Sequence, residues 1–335
     1  MHPASQQTRL IALDWGTSSL RAYRLGTGGQ TLEMRALPWG VMQLPETVAG
    51  AGEKDGFEAA FEQACGDWLQ AAPATPVIAA GMVGSRQGWL EAPYLSVPIA
   101  VADIGGNLSI VRNRQGQLIH IVPGLIQNVL LPNVMRGEET QVVGVLSALG
   151  KQATLQDEIL IGLPGTHSKW VQIRRTDAQA ELTHFDTFMT GEVFAALCGH
   201  TILGRGMQTT ENVHASATAF ERGLRVPQTA AGRAGVLSTI FSTRTLGLTG
   251  ELDGTGQREY LSGLLIGHEI SALQDLLRQH ERQPSRVILV GESALCERYA
   301  SVLRAYGFAR TDVMAQATER GLWQLALTAG LLKTV

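Results

Sequence analysis

An aspartate, a glycine and three hydroxyl residues close the first apolar run of the chain, in Asp14-Trp15-Gly16-Thr17-Ser18-Ser19. At such a turn the glycine lets the backbone approach a ligand, and successive N–H groups and hydroxyls can donate to phosphate oxygens. The aspartate can hold a hydrated Mg²⁺. An ordinary hairpin whose aspartate caps its own turn fits the same residues. A second turn, Leu163-Pro164-Gly165-Thr166-His167-Ser168-Lys169, offers a similar donor set with a cation added. Gly16 and Gly165 are 149 positions apart, and at that offset Thr17 meets Thr166 and Ser19 meets Ser168. The pair, more than either turn alone, points to two loops clamping a triphosphate. Gly16, Thr17 and Ser18 would come from one loop, and Gly165, Thr166, His167 and Lys169 from the other.

Three further places carry usable chemistry. Gly291-Glu292-Ser293 stands between an apolar run and a helical pattern, where a helix start without bulky side chains can shelve an adenine; a plain strand-to-helix turn has the same composition. In Ser85-Arg86-Gln87-Gly88-Trp89 a guanidinium can fork onto a carboxylate and an indole can cover a carbon chain, while a surface arginine beside a packing tryptophan is the plainer reading. Arg21, Arg24 and Arg136 are the other arginines considered for that role. Glu138 and Glu139 open an amphipathic helix, where acids also serve the helix dipole. His184, His200 and His214 are too widely spaced for a helical metal pair, so only His167 is read as functional.

These residues need rigid elements behind them. Short apolar runs at Leu10 to Leu13, Pro76 to Ala80, Ile119 to Val122, Ile159 to Ile161 and Val287 to Val290 each meet Gly or Pro within a few residues and read as strands. Apolar residues at three-and-four spacing predict helices over Phe57 to Leu69, Thr140 to Leu149, Val193 to Cys198, Tyr260 to Leu277, Leu295 to Tyr306 and Thr318 to Leu332. This alternation predicts an α/β protein, and the repeated turn predicts two domains of similar design split near Gly150.

The 335 residues agree with about two domains at roughly 150 residues each. Apolar residues make up 44% and charged residues 17%, and the net charge is −3, which argues against disorder and against a surface built for nucleic acid. Cys65, Cys198 and Cys296 are an odd set without knuckle spacing; Cys65 and Cys198 read as packing residues in a reducing, cytoplasmic protein. Met1 to Arg9 lacks the pattern of a signal peptide. The uncharged stretch Gln115 to Met135 contains two prolines and two asparagines and reads as buried strand and loop, not as a membrane span.

Two phosphate turns followed by a late strand-Gly-x-Ser-helix resemble the actin, hexokinase and Hsp70 superfamily. The blocks Asp14 to Ser18, Ala80-Gly-Met-Val-Gly-Ser85, Gly88-Trp89, Ala92-Pro-Tyr-Leu-Ser-Val-Pro98, Val134-Met-Arg-Gly-Glu-Glu-Thr-Gln141, Pro164-Gly-Thr-His167, Lys169-Trp-Val171, Met189-Thr-Gly-Glu192 and Leu261-Ser-Gly-Leu-Leu-Ile-Gly267 together resemble the 2-dehydro-3-deoxygalactonokinase family, from about residue 10 to about 330. The resemblance implies an α/β fold of two ribonuclease-H-like (actin-like ATPase) domains with an interdomain cleft. The domains are expected over 1–150 and 151–335, with the last helix (about 318–333) free to pack back on the first.

The implied activity is transfer of the γ-phosphoryl group of ATP, with Mg²⁺, to the C6 hydroxyl of 2-dehydro-3-deoxy-D-galactonate in galactonate catabolism. Glu138, then Glu139, is the expected base, and Asp14 the expected metal residue, acting through water. Ser85, Arg86, Gln87 and Trp89 are expected at the sugar acid, and Gly291, Glu292 and Ser293 at the adenosine. Leu163 occupies the position where the second hairpin of the superfamily usually carries an acid, so the metal leans on Asp14 and on water. Asp103-Ile-Gly-Gly-Asn-Leu-Ser109 resembles a phosphate motif of exopolyphosphatases but follows Asp14 by only 89 residues and reads as a turn. An exopolyphosphatase-like hydrolase and a non-catalytic nucleotide-binding protein are the competing readings. Neither needs a carboxylate reader. The expected partners are ATP and the sugar acid, with no nucleic acid and no membrane, and self-association is left open.

Overall fold

The first ten strands include apolar runs such as Leu10–Trp15 and Val77–Gly81 and more mixed, partly exposed segments such as Thr31–Leu37. In chain order these are β1 (Leu10–Trp15), β2 (Leu20–Leu25), β3 (Thr31–Leu37), β4 (Val77–Gly81), β5 (Tyr94–Ser96), β6 (Ile99–Ala100), β7 (Ser109–Arg112), β8 (Leu118–Ile121), β9 (Gly124–Gln127) and β10 (Asn133–Met135). A six-stranded sheet runs β3-β2-β1-β4-β8-β7. β1 pairs antiparallel with β2 and parallel with β4, which is itself parallel to β8. Alternate residues Ile11, Leu13, Trp15, Val77, Ala79, Ile119 and Ile121 pack with Phe57, Phe61 and Trp68 of helix α1 (Asp55–Ala71). Leu10, Ala12 and Ile78, which point the other way, are equally buried, as a sheet covered on both faces requires.

The computed structural model describes residues 7–46, 55–150, 158–176, 179–207, 213–308 and 310–332. Contacts divide the chain into a first unit, Met1–Asp157 with Val171–Phe185 and Ala315–Val335, and a second, Glu158–Trp170 with Asp186–Met314. This departs from a simple split at 150, and two features of the first unit explain why. Helix α3 (Glu138–Leu149) packs on the last helix, Ala317–Thr328, so closely that a Cβ at Gly144 would come within 1.8 Å of the Ala317 carbonyl oxygen, and one at Gly321 within 1.9 Å of that of Thr140. The strand Ala180–Phe188 pairs with β6 through Glu181↔Ala100 and Leu182↔Ile99, and the Gln127 side chain exchanges hydrogen bonds with the Phe185 backbone at 3.0 and 3.3 Å. Asp103 to Ser109, expected as a turn, begins inside a short helix, α2 (Val101–Gly105).

In the second unit β11 (Glu158–Leu163) turns into β12 (Ser168–Arg175); β12 and β13 (Ala180–Phe188) both run across the unit boundary. β11 is parallel to β14 (Arg286–Leu289), and β14 to β15 (Thr311–Val313). Helices α4 (Thr190–His200), α5 (Val213–Arg225), α6 (Val236–Thr239), α7 (Ser242–Leu248), α8 (Gly254–Gln279) and α9 (Ser293–Ala305) complete it, and α10 (Ala317–Thr328) returns to the first unit. Asp253 caps α8 by accepting from Gly256 N–H at 2.7 Å. No helix among the described residues is long and apolar enough to cross a membrane.

Candidate active site

In the first unit the residues of interest gather where β1 and β4 end, at the carboxyl edge favoured for ligands in such sheets. The turn after β1 is closed by Gly16 N–H donating to the Ser19 carbonyl at 2.9 Å. Residues 40–42 brace it: Val41 and Met42 N–H donate to the Gly16 and Thr17 carbonyls, each at 3.1 Å, and a Cβ at Gly40 would sit 2.1 Å from the Thr17 carbonyl oxygen. Thr17 and Ser18 remain exposed. Asp14 faces its cross-strand partner Arg21 at 3.4 Å. Burial raises the Asp14 carboxyl above its ordinary range; Arg21 opposes this and Glu319 of α10 adds to it. Glu319 is a second carboxylate in this field that lies 305 positions along the chain from Asp14, beyond the reach of local motif reading.

β4 ends at Gly81, opposite Trp15 in register, with φ 95°; a Cβ there would stand 2.8 Å from the Trp15 carbonyl oxygen. The following turn buries Ser85 and leaves Arg86 and Gln87 exposed. Trp89 does not serve as expected. Its indole is 2% exposed, stacked on Phe57 at 6.0 Å and edge-on to Trp15 and Phe61, so it is part of the core under the loop and cannot cover a ligand.

The start of α3 meets the same strand ends, since a Cβ at Gly137 (φ 112°) would lie 3.3 Å from Gly81 Cα. The two acids separate here. Glu138 is half-buried and accepts from Arg136 N–H at 3.0 Å. Glu139 is wholly buried, accepts from Gly137 N–H at 2.7 and 2.9 Å and from the Thr140 hydroxyl at 3.2 Å, and burial, helped by Glu138, pushes its carboxyl up to about 7. Glu139 therefore fastens the turn from inside, and Glu138 is the more exposed of the two acids.

In the second unit the β11–β12 turn exposes Thr166 and His167, and α4 begins directly against it. Glu192 N–H donates to the Thr166 carbonyl at 3.0 Å, the Glu192 carboxylate contacts the His167 ring, and a Cβ at Gly191 would come within 2.3 Å of the Gly165 carbonyl oxygen. Lys169 departs from expectation: its side chain is buried, and Nζ donates to the Thr187 hydroxyl at 2.9 Å, so it belongs to the strand and not to the loop surface.

A cavity of about 230 Å³ opens beside this turn. Gly165 and Gly191 form one end, Phe194, Leu265 and Leu295 give it an apolar surface, and Arg258, Glu259 and Arg298 supply charge. Arg298 grips Glu259 through two bonds at 2.6 and 3.0 Å, and the Arg258 guanidinium lies 5.0 Å from the Phe194 ring centroid. The expected adenosine residues Gly291, Glu292 and Ser293 do not line it. Glu292 is committed as the cap of α9, accepting from Ala294 and Leu295 N–H at 3.0 and 2.8 Å, and the wall comes from the helix itself at Leu295, Arg298 and Tyr299. Beneath the cavity a buried Glu269 accepts from Trp170 Nε1–H and the Tyr299 hydroxyl, each at 2.7 Å, and Tyr299 meets the Ser168 hydroxyl at 3.0 Å. Burial raises the Glu269 carboxyl. The walls come from α4, α8 and α9, whose sequence blocks Met189 to Glu192 and Leu261 to Gly267 stood out without revealing a role.

Among the described residues no three His, Cys, Asp or Glu side chains are placed to share a metal ion. The His214 side chain lies outside the described residues.

Comparison with known proteins adds an independent line. The family described as 2-keto-3-deoxy-galactonokinase matches residues 14–325. A 2-dehydro-3-deoxygalactonokinase of Escherichia coli (strain K12) is 38% identical over 312 residues, covering 92% of this chain and 93% of that protein. A protein of Rhizobium meliloti (strain 1021), named a probable 2-dehydro-3-deoxygalactonokinase, is 35% identical over 327 residues, covering 94% and 97%. A crystal structure of a candidate 2-dehydro-3-deoxygalactonokinase protein from Sinorhizobium meliloti superposes with a TM-score of 0.75 at 34% identity, covering 95% of this chain and 98% of that one.

Proposed function

Since this chain belongs to the 2-keto-3-deoxy-galactonokinase family, we propose that it transfers the γ-phosphoryl group of ATP to the C6 hydroxyl of 2-dehydro-3-deoxy-D-galactonate, giving ADP and the 6-phosphate in galactonate catabolism. The family match carries the activity. The observation that carries the assignment of roles is the separation of Glu138 from Glu139 at the ends of β1 and β4. The sheet order β3-β2-β1-β4-β8, antiparallel through its first three strands and parallel after them, supports the ribonuclease-H-like reading of the first unit.

In this reading the cavity beside Gly165 takes the adenosine. Its apolar surface suits a base, and its charged residues suit a ribose. In the first unit the exposed Thr17 and Ser18, with the Gly16 backbone, are donors suited to phosphate oxygens, and in the second Thr166 and His167, with the Gly165 backbone, are donors of the same kind. Glu138 accepts the hydrogen bond of the C6 hydroxyl and orients it; O6 attacks the γ-phosphorus, the bond from that phosphorus to the β,γ-bridging oxygen breaks, ADP leaves, and the hydroxyl proton passes to the Glu138 carboxylate. Because the transition state is loose, Glu138 acts mainly by position. Arg86 and Gln87 are exposed where they can meet the sugar hydroxyls. Asp14 fits a hydrated Mg²⁺, which takes oxygen ligands, needs few from the protein and neutralises phosphate charge when bound; a carboxyl raised by burial gains from such a cation. The three cysteines are free thiols, which supports the cytoplasmic reading.

A coupled ADP-release assay across a panel of 2-keto-3-deoxy sugar acids tests the proposal. Turnover with the galactonate-derived acid above the rate with ATP alone is expected; equal rates with and without every acid would refute it.

A further inference from the structure

Arg136 is 9% exposed and Ser85 7%, and both keep polar atoms buried with no hydrogen-bond partner among the described residues: Nε and Nη1 of the arginine and Oγ of the serine. Buried donors are normally filled, and a buried guanidinium whose Nε and Nη1 make no hydrogen bond is costly. Glu139 lies close enough for Arg136 to act on its carboxylate electrostatically, but that carboxylate takes its hydrogen bonds from the Gly137 N–H and the Thr140 hydroxyl, and no guanidinium–carboxylate contact of Arg136 occurs among the described residues.

The surroundings hold the guanidinium in place. Nη2 donates to the Ala92 carbonyl at 2.8 Å, and Ala92 N–H donates to the Gly84 carbonyl at 2.9 Å, which ties the arginine to the residue preceding Ser85. Gly84 makes the room, since a Cβ there would come within 2.9 Å of Nη1. The Tyr94 ring lies over the guanidinium, 4.2 Å from centroid to Cζ. Tyr94 is on the edge strand β5 and is 40% exposed, so its ring is the side of the seat that faces solvent.

We propose that Arg136 and Ser85 form the seat for the carboxylate of the acceptor, entered when the Tyr94 ring turns aside. This rests on the kinase reading above and replaces Arg86, which is exposed on the loop, as the reader of the acid. One guanidinium and one hydroxyl match a planar monoanion, and the adjacent acids Glu138 and Glu139 disfavour a polyphosphate there. The seat also fixes orientation. With the C1 carboxylate anchored one residue before Gly137, the far end of a six-carbon chain is the end left to meet Glu138.

The test compares the keto-deoxy sugar acid with its carboxamide, by ADP release, in the wild type, Ser85→Ala and Arg136→Lys, with folding monitored by circular dichroism. The wild type is expected to prefer the acid. Ser85→Ala should raise KM for the acid about tenfold and Arg136→Lys about a hundredfold, with KM for ATP within about twofold of wild type, and both should shrink the preference for acid over carboxamide. An unchanged preference in a folded variant would overturn the assignment. Should Arg136→Lys fail to fold, Ser85→Ala decides by the same criterion. A wild type that turns over neither compound would instead refute the kinase reading, and this assignment with it.

Discussion

The indole Nε1–H of Trp170 donates to the Glu269 carboxylate at 2.7 Å, fastening the strand that leaves the β11–β12 turn to the long helix α8. Tyr299 of α9 donates to the other carboxylate oxygen at 2.7 Å, and the Thr190 side chain at the start of α4 also bonds to it. One buried acid thus joins the elements that wall the cavity. Removing it in Glu269→Ala leaves several buried donors unfilled and is expected to cost about 3 kcal/mol in denaturant unfolding. Glu269→Gln keeps an acceptor for Trp170 and should cost less than half as much. Equal losses would mean that the hydrogen bonds do not hold these elements together.

Filling the cavity should separate the two substrates. Ser262 is half-buried in its wall, and Ser262→Trp is expected to raise KM for ATP at least tenfold while KM for the sugar acid stays within about twofold. Initial rates with each substrate varied in turn check this, and a change confined to the sugar acid would move the adenosine site elsewhere.

Glu139 gives the protein a pH signature. Its folded carboxyl sits near 7, above the ordinary value of 4.5, so the folded state binds a proton that the unfolded state has already released between those pH values. The stabilisation is therefore complete below about 4.5 and is lost as pH rises through about 7. At roughly 1.4 kcal/mol per unit it amounts to at most about 3.5 kcal/mol. Denaturation midpoints from pH 5 to 8 should fall in the wild type and be flatter in Glu139→Gln. Parallel slopes would remove Glu139 as the cause.

The two helices that bring the C-terminal segment into the first unit should tolerate no added atom at their crossing. Gly144→Ala sets a methyl group against the Ala317 carbonyl and is expected to cost about 2 kcal/mol or more, read by thermal or denaturant unfolding. A neutral effect would show that α3 and α10 are less tightly opposed.

The central strands and the glycine-hydroxyl turns that end them were legible because each signal is local: an apolar run, then glycine and hydroxyls. What escaped depends on partners far along the chain. Trp89 lies in a glycine-flanked loop whose residues allow either an indole over a ligand or a packing tryptophan, and what decides for packing is Phe57 and Phe61, 32 and 28 positions earlier. Lys169 looks like part of a donor loop, but the strand has already begun at Ser168 and turns its ammonium to Thr187. The cavity could not be read from any one segment, because Gly165, Phe194, Arg258 and Arg298 meet only when a strand turn and three helices pack. Glu138 and Glu139 were visible as a pair, and only burial distinguishes them.

The destination of the phosphoryl group is read directly by ³¹P NMR of the reaction with ATP, Mg²⁺ and 2-dehydro-3-deoxy-D-galactonate. The expected result is a phosphomonoester signal coupled to the two C6 protons, growing in step with ADP and much reduced in Asp14→Asn and Glu138→Gln. Growth of inorganic phosphate alone, at the same rate with and without the sugar acid, would contradict the account and make the protein a hydrolase.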